Sequence, residues 1–140
     1  MKPEYVFIAC VKTKNGRPCQ AKDMYISPMF RKAYQYALTQ TIEGNIYILS
    51  AKYGLIHNTE RIAPYEQTLN TMSDKERRIW AYNVIQIMKR KNIPLDARIM
   101  ILGGGGYRSY LMQVLKNSVC PLIGKSMGRT LQWYNEQLKR

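Results

Sequence analysis

Residues 45–69, NIYILSAKYGLIHNTERIAPYEQTL, decide how this chain is read. The stretch begins as an apolar, β-branched run, Ile46 to Leu49, which is the pattern of a buried strand. It then becomes an irregular loop bearing Ser50, Lys52, Tyr53, His57, Pro64 and Tyr65, all able to contact a ligand. In a parallel α/β sheet such a loop falls beyond the carboxyl end of its strand, where ligands bind.

The segments on either side give the strand its sheet. YVFIAC (5–10), ARIMIL (97–102) and a short VCPLIG (119–124) read as further strands. A basic loop, VKTKNGRPCQAKDMY (11–25), follows the first and carries an Asn15-Gly16 turn signal. Ser27 and Pro28 open a helix with Phe30, Ala33, Ala37 and Leu38 on one face, and Gly44 closes that segment. Ser73 and Glu76 form a capping box before a stripe of Trp80, Val84, Ile87 and Met88. A helix is expected from Tyr107 to about Lys116. The last helix, GRTLQWYNEQLKR, puts Leu131, Tyr134 and Leu138 on one face. Apolar strands alternating with amphipathic helices predict one α/β domain over residues 1–140. It would have three layers: a mostly parallel sheet of about four strands with helices on both faces. Right-handed crossovers would bring the ends of the first three strands to one edge.

The totals fit a globular chain with a strong electrostatic bias. Apolar residues make up 46% of the 140 and charged residues 22%, while 22 Lys and Arg face nine Asp and Glu for a net charge of +13. Such a balance points to nucleic acid or a nucleotide as partner, against the plainer reading of solubility. No apolar run is long enough to cross a bilayer and the start lacks a signal-peptide layout, so a cytoplasmic protein without membrane contact is expected. Cys10, Cys19 and Cys120 read as free thiols, and their spacing from His57 gives no zinc site; neither a metal nor a cofactor is expected. Oligomeric state has no signature in the sequence.

Four groups carry the candidate chemistry. Gly103, Gly104, Gly105 and Gly106, followed by Tyr107 and Arg108, stand between a strand and a helix. Their amides and the helix dipole suit a phosphate or carboxylate, although close backbone packing explains glycines equally well. Lys12 and Lys14 follow Cys10 in a loop that would grip phosphate or be merely solvated. Lys52 and Tyr53 after Ser50, with Pro64 and Tyr65 beyond, would hold a base between two rings, unless both tyrosines are core aromatics. Asp23, alone among cations, would stabilise a cationic centre or orient water, or simply pair with a lysine; Glu66 is the second such carboxylate. His57 has no orienting acid and reads as an ordinary loop residue.

IACVKTK, AKDMYISPMFRKAYQYA, YILSAKYGLI, IAPYEQTL and GRTLQWYNEQL together resemble a family of small bacterial and phage proteins known as a domain of unknown function. The likeness covers nearly the whole chain, and SAKYGL and PYxxTL are its most specific blocks. Typical members read ACSKxK near the start, where Val11 here replaces the serine. More distantly, LSAKYGLI with IAPYEQTL is similar to a block of the peroxide-stress protein YaaA, which binds DNA. Cys10, Lys14, Tyr25 and Ser27 resemble the Cys-x3-Lys-Pro-Tyr-x2-Ser signature of archaeosine synthases, whose related domain is uracil-DNA-glycosylase-like; here an insertion separates Lys from Tyr, and Phe30 takes the place of the final His. These likenesses imply an α/β fold directed at a nucleobase. The expectation is therefore a cleft for base and phosphate, with two outcomes open. One is cleavage or exchange of an N-glycosidic bond using Asp23, Lys52 and Glu66. The other is non-catalytic binding of DNA, RNA or a signalling nucleotide.

Overall fold

The computed structural model describes residues 2–140. In chain order its elements are β1 (Tyr5–Ala9), β2 (Cys19–Gln20), α1 (Ala21–Met24), α2 (Pro28–Gln40), β3 (Ile46–Ser50), β4 (Gly54–His57), β5 (Arg61–Ile62), α3 (Asp74–Arg90), β6 (Ile99–Leu102), α4 (Gly105–Val114), β7 (Ser118–Val119) and α5 (Met127–Leu138). Short 3-10 turns stand at Glu43–Asn45 and Leu69–Thr71.

β1 lies at the centre of a five-stranded sheet of order β4-β3-β1-β6-β7. It runs parallel to β3 on one side (Val6 opposite Ile46, Ala9 opposite Leu49) and to β6 on the other (Tyr5 opposite Ile99, Ile8 opposite Leu102). Val6, Phe7 and Ile8 of β1 and all four residues of β6 are buried, as a parallel sheet covered on both faces requires. α2 packs on β1 and α5, while α3 packs on α4 and β4, giving a helical layer on each face.

The helix starts follow from local chemistry. Ser27 accepts the Phe30 N–H at 3.2 Å and Pro28 takes the first helical position. Ser73 and Glu76 exchange both capping-box bonds, at 3.1 and 3.0 Å. Among the described residues no helix is long and apolar enough to cross a membrane.

Three local differences from the sequence reading bear on the site. Residues 54–57 are not loop: they fold back as β4, antiparallel to β3, with Ser50 opposite Gly54. The turn needs Gly54, whose φ is +78° and whose Cβ would lie 2.7 Å from Ile87 Cδ1. VCPLIG contributes only Val119 to a strand; Pro121 has no N–H for a ladder, and Leu122 is buried in the turn that follows. The basic loop and the segment after β4 form a small ribbon, β2 with β5, leading into the four-residue α1.

Candidate functional site

β1, β3 and β6 are parallel neighbours, so their carboxyl ends share one edge of the sheet, as expected. From β1 the chain passes to β3 on one side and only later to β6 on the other, which makes the β1–β6 boundary the switch point of the sheet. A cleft of about 1120 Å³ opens at this edge, lined by residues from Ile8 to Lys12 and from Leu102 to Arg108.

Its β6 side is the glycine run. Gly103 is buried, and a Cβ there would stand 2.8 Å from the Ala9 Cβ, so the two strand ends approach each other only with glycine present. α4 begins at Gly105, two residues before the expected Tyr107, because the Gly104 carbonyl accepts from the Tyr107 and Arg108 N–H groups at 3.0 and 3.1 Å. No side chain caps this helix, and Gly104, Gly105 and Gly106 line the cleft. The Arg108 Nη1 donates to the Gly103 carbonyl at 3.0 Å and holds the run in shape.

The β1 side is the basic loop. Its backbone is pinned to residues 24–26: Asn15 N donates to Met24 O at 2.7 Å and Ile26 N to Thr13 O at 3.2 Å. Lys14 is thereby held with its Nζ 4.5 Å from the Tyr65 ring centroid, a cation–π contact. Lys12 and Lys14 both line the cleft. Cys10 is buried there with its Sγ 3.1 Å from the Tyr107 Oη. Burial pushes the Tyr107 phenol up, and the neighbouring thiol adds to the shift, so Tyr107 stays protonated.

The third wall, Pro64, Tyr65 and Glu66, comes from the loop after β5. Tyr65 faces the cleft but hangs from a buried network behind it: its Oη lies 2.6 Å from the Tyr25 Oη and accepts from the Ser50 Oγ at 2.8 Å. Ser50 Oγ in turn accepts the Lys52 and Tyr53 amides at 3.2 and 3.0 Å. Burial raises both the Tyr25 and the Tyr65 phenols, and the neighbouring Cys10 acts in the same direction.

The remaining predicted residues do not reach the cleft. Ser50 and Tyr25 are behind it as braces, 0% and 1% exposed. Ser27 is spent on capping α2. Lys52 and Tyr53 turn away with the β3–β4 hairpin, where Lys52 Nζ lies 5.3 Å from the Tyr53 ring centroid. The Tyr53 and Tyr65 rings meet edge to face, 5.5 Å apart at 87°, so they form no parallel slot for a base. Asp23 is exposed on α1, and the cleft lining does not include it. His57 is held by Thr59 Oγ1 at 2.8 Å and Gly44 O at 2.9 Å, away from the cleft.

Sequence reading missed the wall made by α2 and the chain from Leu122 into α5. Met29, Phe30 and Ala33 on one side and Leu122, Thr130 and Tyr134 on the other supply a largely apolar end to the cleft. Lys125 joins Lys12, Lys14 and Arg108, so four cationic side chains line the cleft against one carboxylate, Glu66. The i, i+4 spacing of Thr130 and Tyr134 was the available signal, since both fall on one face of a helix.

No curated protein and no solved structure matches the chain. A family model described as "Family of unknown function (DUF6884)" matches residues 5–136. The chain, with its switch-point cleft and glycine-run wall, belongs to that family of unknown function.

Proposed function

We propose that the cleft binds a nucleotide, free or within a nucleic acid, with phosphate at the glycine-run end. The observation that carries this reading is the charge of the lining, four cations to one carboxylate in a cleft that the uncapped start of α4 also lines. Backbone amides at a helix start favour anions, and movable lysines complete the charge balance. The net charge of +13 and the likeness of SAKYGLI and PYEQTL to a block of YaaA, a DNA-binding protein, point the same way. Titrating the protein with nucleoside monophosphates and with short single-stranded DNA and RNA at several salt concentrations tests the proposal. Polymer binding should weaken steeply with salt, and Lys14→Gln or Lys125→Gln should each lower the slope by about 0.7–0.9 per lost phosphate contact. A flat salt response with tight mononucleotide binding would assign the cleft to a free nucleotide, and no affinity for any of these ligands would overturn the proposal.

Glu66 favours a second reading, cleavage or exchange of an N-glycosidic bond. It is the carboxylate on the cleft wall, whereas Asp23 and Lys52 lie outside it. Glu66 would stabilise an oxocarbenium-like centre or activate water. Release of free base from nucleosides or oligonucleotides, lost in Glu66→Gln with binding retained, is the expected result for an enzyme. No release from any of these substrates returns the protein to the binding reading.

A further inference from the structure

The apolar end of the cleft holds two hydroxyls without work to do inside the protein. Thr130 and Tyr134 lie one turn apart on α5 and are 8% and 1% exposed. Neither the Thr130 Oγ1 nor the Tyr134 Oη has a hydrogen-bond partner among the described residues, and no fully enclosed side-chain oxygen there is left unpaired. Both hydroxyls therefore keep some contact with solvent, and their residues line the cleft. A ligand that displaces water from these hydroxyls must return the hydrogen bonds, which favours one that carries matching polar atoms.

Their surroundings say what that ligand part is. Met29, Phe30 and Leu122 line the cleft with them, Phe30 and Leu122 almost fully packed, and Lys125 stands between Leu122 and Thr130 in sequence. The Tyr134 ring is fixed by Tyr36 and Trp133, at centroid distances of 6.0 and 5.5 Å. Burial raises the Tyr134 phenol, with the neighbouring Cys120 and Tyr36 acting likewise, so it is a neutral group able both to donate and to accept. Neutral hydroxyls do not neutralise a phosphate, and a sugar carries its hydroxyls around the ring rather than along one edge. A flat heterocycle has apolar faces and a polar edge, which is the match.

We propose that Thr130 and Tyr134 form the base-reading subsite of the cleft, hydrogen-bonding the edge of a purine or pyrimidine whose faces lie against Met29, Phe30 and Leu122. The proposal rests on the nucleotide reading above and adds which end takes the base. It replaces the Tyr53–Tyr65 slot expected from sequence.

The test compares Thr130→Val and Tyr134→Phe, both nearly isosteric, with Thr130→Ser, which keeps the hydroxyl. Each is titrated with nucleoside monophosphates and short single-stranded oligonucleotides, and with base-free counterparts carrying the same phosphates: ribose 5-phosphate and abasic oligonucleotides. Removing either hydroxyl should weaken the base-bearing probes by about tenfold, leave the base-free probes unchanged, and be rescued in Thr130→Ser. If base-bearing and base-free probes weaken together, the hydroxyls do not read a base and the proposal falls. If neither weakens while the wild type binds nucleotides, the subsite is wrong and the phosphate reading survives. If the wild type binds only the base-free probes or nothing at all, the subsite and the nucleotide reading fail together. Matching thermal melts of the variants separate any loss of binding from loss of fold.

Discussion

β3 and β6 both end at the same edge of the sheet, one on each side of β1, yet only one of them ends at an open site. β6 runs through Gly103 and Gly104 into a helix, which carries the chain away and leaves its first-turn amides over the cleft. β3 runs through residues 51–53 into an antiparallel partner, and its end is closed by Ser50, Tyr65 and Tyr25. Polar residues beyond a strand line a site only when the connection that follows leaves room above the strand. A strand-to-helix crossover does so, and a tight hairpin fills the space with its own turn.

The largest expected effect falls on the closed end. Gly54→Ala combines a left-handed backbone with a methyl against Ile87, for a loss of about 3 kcal/mol in urea unfolding. Nucleotide affinity of the folded fraction should be unchanged; a matching loss of affinity would mean the hairpin belongs to the site. At the open end, Gly103→Ala should cost about 2 kcal/mol and also weaken binding, because its methyl meets Ala9. Ala9→Gly in the same chain should restore most of the stability, and a failure to do so would locate the strain elsewhere. Ser50→Ala removes the donor to Tyr65 and the acceptor of two amides, for about 1.5 kcal/mol measured in the same way, again without loss of affinity.

Alkaline pH sharpens the contrast further. The folded state holds the Tyr25 and Tyr65 phenols above their ordinary value, so their stabilisation is complete below a pH of about 10 and is lost as pH rises beyond it. Tyr65→Phe should make the fall of the urea midpoint with alkaline pH shallower; an unchanged slope would show that this phenol is not held neutral by the fold. The smallest effect is expected at Lys52. Lys52→Ala should shift stability by less than about 0.5 kcal/mol and leave binding as it was, in contrast to Lys14→Gln at the open end.

The strands and helix starts were legible because their signals are local. YVFIAC and ARIMIL are apolar throughout, and Ser27-Pro28 and Ser73–Glu76 are capping patterns that need no tertiary partner. The hairpin was not legible, since Ala51-Lys52-Tyr53-Gly54 lacks the Asn-Gly type of turn and GLIH is short. VCPLIG misled because apolar content does not distinguish a strand from a turn whose Leu122 points inward. Among the candidate residues, the glycine run and the Cys10–Lys14 loop meet at the cleft because the parallel topology places strand ends together. Asp23 lies off the cleft, since nothing in the sequence orients a four-residue helix. Thr130 and Tyr134 were passed over because a helical face carrying Tyr134 with Leu131 and Leu138 reads as core, and only the fold sets α2 against α5.

The central place of β1 also sets when the molecule becomes whole. Tyr5 is made well before one of its partners in register, Ile99, because most of the described residues lie between them. One flank of β1 can dock against β3 early, while the other waits for β6, the pairing most distant in sequence and so slowest to find. The cleft lies across that late seam. A ligand gripping both the Cys10 and the Gly104 sides would act as a clasp over it, stabilising the finished fold in proportion to ligand concentration and slowing its reopening.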